Sequence, residues 1–226
     1  MKPLRYASHN WLIHAVNNAV VERHLPALRG RVVDLGCGTM PYRDDILGVA
    51  DEYIGVDWPS SPHDRAAHVQ ADLSEGVPIA SGSADAVVAF QVMEHLREPR
   101  RFLDECFRIA KPGGTLLLTL PFMWHVHEAP HDYFRFTRHG LAYLLAGAGF
   151  ADVRIEETTG FWQCWILKLN YHTARLARGP LRALFVPLWW LGQVVAPVLD
   201  RIDVHPEESA GYVVRARKPA AGKAAA

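Results

Sequence analysis

The stretch VVDLGCGTMPY, residues 32–42, constrains the fold more than any other part of the chain. Two β-branched residues and an acid lead into a turn in which Gly36 and Gly38 can approach a ligand closely, and Pro41 suits the first turn of a helix. The pattern predicts a strand, a tight loop and a helix start. Such a junction attracts the polar end of a nucleotide-like ligand through its backbone N–H groups. A short Gly-x-Gly turn is also a plain strand-to-helix connection, so the motif alone leaves both interpretations open.

The bulk composition narrows the class of protein. Half of the 226 residues are hydrophobic, which provides a core for one large domain or for one domain with an appendage. The 24 basic and 24 acidic residues cancel, so we expect no nucleic-acid partner. Cys37, Cys106 and Cys164 are too few and too widely spaced for a disulfide framework or a cysteine metal site. With an N-terminus that lacks an apolar segment, we expect a cytoplasmic protein.

Strands and helices alternate in the predicted structure from residue 31 to residue 120. A second apolar run ends at Asp57, which follows Gly38 by 19 positions, near the spacing of roughly 20 at which a carboxylate meets a ribose. A third run leads to Asp72 and a fourth to Gln91. The helix predicted over residues 99–110 is expected to end at KPGG, before a fifth strand. Alternation of this kind predicts a largely parallel, doubly wound sheet whose ligand lies beyond the carboxyl ends of the strands.

Taken together, these motifs resemble the class I S-adenosylmethionine-dependent methyltransferases. The resemblance covers about residues 30–160 and a closing strand near 210–217. It rests on VVDLGCGTMPY, YIGVDW, ADLSEGVPIASGSADAVVAFQVMEHL, KPGG, PFMWHVHEAPHDYFRFT and GLAYLLAGAGF. It implies an α/β fold with a Rossmann-like, seven-stranded, mostly parallel sheet, helices on both faces and an antiparallel last strand. A helical insertion is expected before that strand.

The resemblance also implies residues for the methionine end of the cofactor S-adenosylmethionine. Gly36 and Gly38 match the glycines beside the methionine portion, and Asp34 would order that loop and contact the amino group. Gln91 follows the fourth strand and would line the same end. Glu94 and His95 come next, as such a pair does in many of these enzymes, and we favour a structural role over a catalytic one for His95.

For the nucleoside end, the resemblance assigns two acids and their neighbours. Asp57 would accept both ribose hydroxyls with Trp58 against the adenine face, and Asp72 would accept from the adenine amino group with Leu73 donating from its backbone. The chemistry agrees, since a ribose diol and an amino group are both donors and a carboxylate accepts. A nicotinamide-dependent sugar oxidoreductase fits less well, because its Gly-x-Gly-x-x-Gly turn would need glycine where this chain has Pro41.

Three histidines lie in the segment that follows the fifth strand. The segment resembles the P-H-D-Y-x-R-[FY]-T signature of bacterial methyltransferases linked to glycan or secondary-metabolite tailoring, and Thr137 is expected to cap the next helix. We predict His125, His127 and His131 as candidate catalytic bases, with the first two ranked before the third. A metal site built from these histidines and Asp132 was weighed and set aside, so no metal is predicted.

An aromatic stretch interrupts the familiar pattern over residues 161–200. It contains seven aromatic side chains and four basic residues against one acid, and Ala183–Leu199 has 17 uncharged residues. As a helix that run would be about 26 Å long, just short of a bilayer core of roughly 30 Å. Three interpretations stay open: a substrate cap or homodimer face, a peripheral contact with the inner membrane face, and, least favoured, a true span.

The predicted organisation has five parts. They are an N-terminal helix or lid (1–29), a cofactor-binding core (30–160), the aromatic-rich helical insertion (161–208), a final strand (209–217) and a disordered tail (218–226). We predict a methyltransferase that transfers a methyl group in line to an oxygen of a small-molecule or glycan acceptor. If the aromatic stretch contacts a membrane, the acceptor would be lipid-linked. The competing hypothesis is a non-catalytic protein that binds S-adenosylmethionine or docks on a membrane.

Overall fold

The computed structural model describes residues 6–59 and 67–220, which form two compact units. The sheet unit contains Glu22–Pro121, Val126–Glu156 and the described part of the segment from Tyr212 onward. The helical unit contains the described part of Met1–Val21, together with Phe122–His125 and Glu157–Gly211. The N-terminal helix thus falls with the aromatic insertion, although the two are far apart in sequence.

The sheet has seven strands, as the sequence predicts, and their order is β3-β2-β1-β4-β5-β7-β6. They are β1 Arg31–Leu35, β2 Glu52–Asp57, β3 Val69–Gln70, β4 Ala84–Phe90, β5 Ala110–Pro121, β6 Ala151–Glu157 and β7 Gly211–Arg217. The pairs β1–β2, β1–β4, β2–β3 and β4–β5 are parallel, so their carboxyl ends share one edge of the sheet. This edge is where the resemblance places the cofactor.

The last strand runs antiparallel to β5, which confirms the prediction. Near the start of β5, Gly113 N donates to Lys218 O and Lys218 N donates to Gly114 O, at 2.9 and 3.0 Å. Beyond the other end of β5, Phe122 N donates to Ala210 O at 2.8 Å. Partner numbers that fall along one strand as they rise along the other define an antiparallel ladder.

Six α-helices lie in the described residues. They are α1 Trp11–His24, α2 Arg43–Leu47, α3 Pro99–Ile109, α4 Arg138–Gly147, α5 Phe161–Ala174 and α6 Arg182–Ile202. Thr137 is the N-cap of α4, as predicted, because its hydroxyl accepts from Gly140 N at 3.1 Å. On α3, apolar side chains at a spacing of three to four residues are buried, which seats that helix on the sheet.

Two local predictions were wrong. Pro41 does not begin a helix, because the chain turns through it and α2 starts only at Arg43. The KPGG segment does not lie outside the strands either, because α3 ends at Ile109 and β5 begins at Ala110. The parallel ladder with β4 is irregular there, between Ala84 and Ala86, which accommodates the proline and two glycines inside the strand.

In the helical unit, two polar side chains of α6 hold α1, α5 and α6 together. The Asp200 carboxylate on α6 accepts from the backbone N–H groups of Gly160, Trp162 and Gln163 at the start of α5. The buried Gln193 side chain accepts from Leu12 N and donates to Tyr6 O. These contacts give each polar group on the inner face of α6 a partner.

The outer face of α6 is apolar and exposed. Six side chains at a spacing of three or four residues form this stripe, which we call the α6 stripe, and each is between 38% and 76% exposed: Leu184, Leu188, Leu191, Val195, Val198 and Ile202. By length and composition alone, Gly179–Ile202 is the one helix in the described residues that could cross a membrane. Its most apolar window has a mean hydropathy of 1.4 and is only 17% buried.

Candidate active site

The glycine turn after β1 is held by β2 and by the exit of β4. Gly36 N and Cys37 N both donate to Val56 O, at 2.8 and 3.1 Å, so these two N–H groups are bound to the sheet and do not point at a ligand. Gly36 has φ +78°, and a Cβ there would lie 2.5 Å from Val92 Cγ2. The position therefore requires glycine for two reasons, the left-handed backbone and the close approach of Val92.

Asp34 lies just before this turn and is buried. The Tyr53 hydroxyl donates to its Oδ2 at 2.5 Å, whereas Oδ1 has no hydrogen-bond partner among the described residues. Burial raises the pKa of the Asp34 carboxyl to about 7, in spite of the bond from Tyr53, and the nearby charge of Asp57 raises it further. An acceptor oxygen without a partner at this edge fits a ligand that brings a donor, such as an amino group.

Asp57 ends β2 one strand away, and Asp72 follows β3. One oxygen of each carboxylate accepts from backbone at 2.9 Å, Asp57 from Trp58 N and Asp72 from Ser74 N. Among the described residues the second oxygen of each carboxylate accepts no hydrogen bond, so it can bind a ligand. Leu73 is buried, so it contributes packing in addition to any backbone bond. The Trp58 side chain is 40% exposed at the same edge, as an aromatic platform for a base would be.

Gln91 leaves β4 with an unusual backbone. Its φ is +58°, and its N–H donates to Thr119 O at 2.9 Å, which ends the β4–β5 pairing. A left-handed residue at this point turns the chain sharply away from the sheet. The turn places Glu94 and His95 in a 3₁₀ segment, Met93–His95, directly at the strand ends.

Glu94, His95 and His127 form what we call the Glu–His cluster. Glu94 Oε1 lies 3.7 Å from His95 Nε2 and 3.8 Å from His127 Nε2, and the two imidazole centroids are 4.8 Å apart. The Glu94 side chain is fully buried, while the two histidine side chains are 16% and 22% exposed. The cluster thus combines a buried acid with two imidazoles that solvent or a ligand can reach.

Backbone and side-chain bonds fix the histidine segment on the exit of β4. Tyr133 N and Phe134 N donate to Glu94 O, and His95 Nδ1 lies 2.6 Å from His131 O. Asp132 accepts from the Arg135 guanidinium at 2.5 and 2.7 Å and from His127 N at 2.9 Å. The Asp132–Arg135 pair therefore positions His127.

The three histidines predicted from sequence have different surroundings. His127 belongs to the Glu–His cluster. The His131 ring lies 5.5 Å, edge to face, from the Trp58 ring, which joins the histidine segment to the end of β2. His125 belongs to the helical unit, where its ring lies 5.0 Å from that of Tyr171.

Sequence reasoning underrated two members of the cluster. Glu94 and His95 were noticed as a pair, but His95 was assigned a structural role and neither was predicted as a site residue. The available signal was an acid and a histidine in the short segment that follows a buried strand, where parallel sheets place their ligands. What the sequence did not show is that His127, 32 residues later, returns to the same acid.

Comparison with known proteins identifies the family. A family model described as a methyltransferase domain matches residues 33–118. A Mycolicibacterium smegmatis protein named "Probable S-adenosylmethionine-dependent methyltransferase" is 37% identical over 210 residues, which cover 84% of this chain and 80% of the relative. The chain belongs to the class I S-adenosylmethionine-dependent methyltransferases. The methyltransferase therefore uses S-adenosylmethionine as its cofactor, as predicted.

Two further comparisons concern chemistry and fold. A ubiquinone biosynthesis O-methyltransferase of Xanthomonas oryzae is 26% identical over 121 residues, 47% of this chain and 51% of that protein. The solved structure of phosphoethanolamine N-methyltransferase 2 of Haemonchus contortus with S-adenosylmethionine has a TM-score of 0.61, at 18% identity over 93% of this chain and 56% of that chain. At that identity the likeness supports the fold alone.

Burial controls the charge of the Glu–His cluster in the methyltransferase. It raises the pKa of the Glu94 carboxyl to about 8, and it also lowers the pKa of His127, with the neighbouring His95 as the next cause. The hydrogen bonds from Arg135 hold the pKa of Asp132 well below its usual range. The ionised pair Asp132–Arg135 thus lies beside two groups, Glu94 and His127, whose neutral forms burial favours.

Proposed function

We propose that the methyltransferase transfers the methyl group to a hydroxyl oxygen of a small-molecule or glycan acceptor at the carboxyl edge of the sheet. In this proposal Asp57 binds the ribose and Asp72 the adenine amino group, with Trp58 and Leu73 against the base. The methionine end lies against Asp34, Gly36, Gly38 and Gln91. When bound, S-adenosylmethionine supplies an electrophilic methyl carbon on a positive sulfonium. The Asp34 oxygen, which has no hydrogen-bond partner among the described residues, supports this placement.

The Glu–His cluster is the observation that carries the choice of a hydroxyl acceptor. A hydroxyl must lose its proton as its oxygen bonds to the methyl carbon and the carbon–sulfur bond breaks, with that electron pair passing to sulfur. The His127 ring is partly exposed and lies next to the exit of β4, and its Nδ1 is 3.3 Å from both Asp132 Oδ2 and Arg135 Nη2, so the His127 imidazole is the proton acceptor that we assign. Orientation supplies roughly 7–11 kcal/mol, and a base adds about 10²–10⁴-fold.

Transfer of labelled methyl groups tests this function. The full chain is incubated with methyl-labelled S-adenosylmethionine and panels of phenols, sugars and hydroxylated lipids, and the products are identified by mass spectrometry. We expect O-methyl products, and we expect His127→Ala to lower the rate by about 10²-fold or more. His139→Ala, an exposed histidine on α4, is the matched control and should keep the wild-type rate.

Two results would contradict the proposal. Label found only in amines would place the acceptor atom at nitrogen. Tight cofactor binding with no transfer to any acceptor would favour the competing hypothesis of a non-catalytic cofactor-binding protein.

We also propose that the helical unit contacts the surface of an anionic membrane on the cytoplasmic side, where a lipid-linked acceptor would be met. The α6 stripe exposes six apolar side chains, and Lys168, Arg175, Arg178 and Arg182 lie in the same unit. The one acid within α6, Asp200, binds the start of α5 and is not part of the α6 stripe. Apolar surface and basic side chains together favour an anionic interface.

A peripheral contact suits α6 better than a span. The inner face of the helix carries Gln193 and Asp200, whose partners lie within the same unit, and a helix surrounded by lipid would lose them. Flotation with vesicles tests the contact. We expect the protein to float with phosphatidylglycerol-containing vesicles and to stay unbound with phosphatidylcholine alone. Recovery in the unbound fraction in both cases, with a dimer by light scattering, would assign the stripe to a second copy of the chain.

A further inference from the structure

The Glu–His cluster has the composition of a metal centre, since it brings one carboxylate and two imidazoles to a single point. The three ligand atoms lie within 4.8 Å of one another, on residues from two separate segments of the sheet unit. We propose that Glu94, His95 and His127 bind a divalent transition-metal cation. Two imidazoles and one carboxylate are ligands that Zn²⁺, Fe²⁺ and Co²⁺ accept.

The Glu94 carboxyl group is a second and independent observation that points to a cation. Its side chain is fully buried, yet neither Oε1 nor Oε2 has a hydrogen-bond partner within the described ranges 6–59 and 67–220. Buried polar atoms in folded proteins almost always have partners, because an unpaired buried group is costly. The two nearest imidazole nitrogens lie at 3.7 and 3.8 Å, too far for hydrogen bonds.

Those separations suit a cation placed between the ligand atoms. Ligands about 2.0–2.2 Å from a tetrahedral metal ion lie roughly 3.3–3.6 Å from each other. Glu94 Oε1 is within a few tenths of an ångström of this distance from both histidines. The two imidazole nitrogens lie within 4.8 Å of each other, so the rings must approach by about 1 Å to share one ion. Glu128 Oε2 lies 3.8 Å from His95 Nε2 on the exposed side, which provides a further carboxylate within reach.

Outer contacts orient both imidazoles for this role. His95 Nδ1 lies 2.6 Å from a backbone carbonyl, that of His131, which only accepts; Nδ1 therefore carries the proton and Nε2 keeps its lone pair. His127 Nδ1 lies 3.3 Å from both Asp132 Oδ2 and Arg135 Nη2, so the Asp132–Arg135 pair holds its second nitrogen. An outer carboxylate or carbonyl on the second nitrogen of a histidine is the usual arrangement around a metal ion.

This inference revises the sequence prediction that no metal is bound. The sequence suggests His125, His127, His131 and Asp132 as the possible metal ligands. In the structure only His127 of these belongs to the cluster, and the other two ligands are Glu94 and His95. The role of the cation rests on the proposed function. With three protein ligands, an open position can take the acceptor hydroxyl and lower its pKa. In this metal-bound form His127 is a ligand and the proton passes to water, so the cation replaces His127 as the activator of the hydroxyl while the acceptor and the methyl transfer stay as proposed.

Cobalt binding to the full chain tests the site without any measurement of activity. Co²⁺ is titrated into the protein after treatment with a chelator, and its visible absorption bands are followed. We expect saturation at one equivalent and displacement of the bands by Zn²⁺. Glu94→Gln and His95→Asn should each weaken binding at least about tenfold, because each removes one ligand. His139→Ala is the control and should bind as the wild type does.

The outcomes are distinguishable. Equal Co²⁺ affinity in the wild type and in both ligand variants, or no bands at all, would overturn the inference. If Glu94→Gln loses its fold by circular dichroism, the His95→Asn result decides. Methyl transfer to a hydroxyl that depends on His127 but persists after chelation would keep the proposed function and reject the cation. If the protein binds the cation but transfers no methyl group to any hydroxyl acceptor, the metal site is kept and the proposed function is rejected.

Discussion

The sheet unit and the helical unit differ in how far their apolar residues are buried. In the sheet unit, β1, β4 and β5 are buried almost throughout, and the polar groups collect at one edge. In the helical unit, α6 buries one face and exposes a continuous apolar stripe on the other. A buried sheet with polar strand ends thus carries its own site, whereas a helix with an exposed apolar face gains its role from what covers that face.

Changing the glycine turn should have the largest effect and should be confined to the sheet unit. In Gly36→Ala, contact with Val92 costs about 1–3 kcal/mol and the left-handed backbone about 1–2 kcal/mol, so we expect unfolding to become easier by roughly 2–5 kcal/mol. Denaturant unfolding measures this. Gly82→Ala is matched in φ, at +61°, but a Cβ there meets nothing within 4 Å. Equal losses in the two variants would refute the packing explanation.

The buried carboxyl of Asp34 should make the sheet unit depend on pH. Its folded pKa is raised to about 7 from an ordinary 3.8, so the folded state holds a proton that the unfolded state releases near pH 4. The free energy of unfolding therefore falls as pH rises from about 4 to 7. The fall is at most about 4 kcal/mol, since a tenfold change in proton affinity is worth about 1.4 kcal/mol.

Asp34→Asn removes this dependence, because an amide does not titrate while its oxygen still accepts from Tyr53. Unfolding free energies of the variant and of the wild type should diverge steadily across that pH range. Asp51→Asn removes an exposed carboxylate near the other end of β2 and should keep the wild-type profile. Parallel profiles for Asp34→Asn and the wild type would show that Asp34 is ionised in the folded protein.

Polar substitutions on the α6 stripe should affect the helical unit alone. Leu188 and Leu191 are 55% and 53% exposed, and replacing both with glutamine should weaken binding to anionic vesicles by about 2 kcal/mol, roughly 30-fold. Vesicle flotation measures the change, and cofactor affinity should stay constant. Tyr143→Gln, at an exposed aromatic residue of α4, is the control. Loss of cofactor affinity in the leucine variant would contradict the claim that the α6 stripe and the cofactor site act independently.

The smallest expected effect lies in the sheet unit away from its site. Thr137→Ala removes the hydroxyl that accepts from Gly140 N, and we expect a loss of about 1 kcal/mol, within a range of roughly 0.5–2 kcal/mol. Thermal unfolding detects this change. Thr137→Ser keeps the oxygen and should recover most of the loss; failure to recover would mean that the methyl group, not the cap, stabilises α4.

The difference between the units also explains what the sequence could predict. Strand ends such as Asp34, Asp57 and Gln91 follow directly from local apolar runs, so the sheet and its edge were predictable. The Glu–His cluster was not predictable, because His127 lies 33 residues after Glu94 in sequence and only the folded chain brings the two side chains together. Pro41 and the KPGG segment were misassigned, since turn residues bend a strand as readily as they end a helix.

The central claim is that the acids at the strand ends bind the cofactor, and a calorimetric titration with S-adenosylmethionine tests it most directly. Asp57→Ala removes a charged acceptor worth about 1.5–3 kcal/mol, so the account predicts a dissociation constant roughly 10- to 100-fold higher than that of the wild type. Asp51→Ala, near the opposite end of the same strand, should bind as the wild type does. Equal affinity of Asp57→Ala and the wild type would contradict the account.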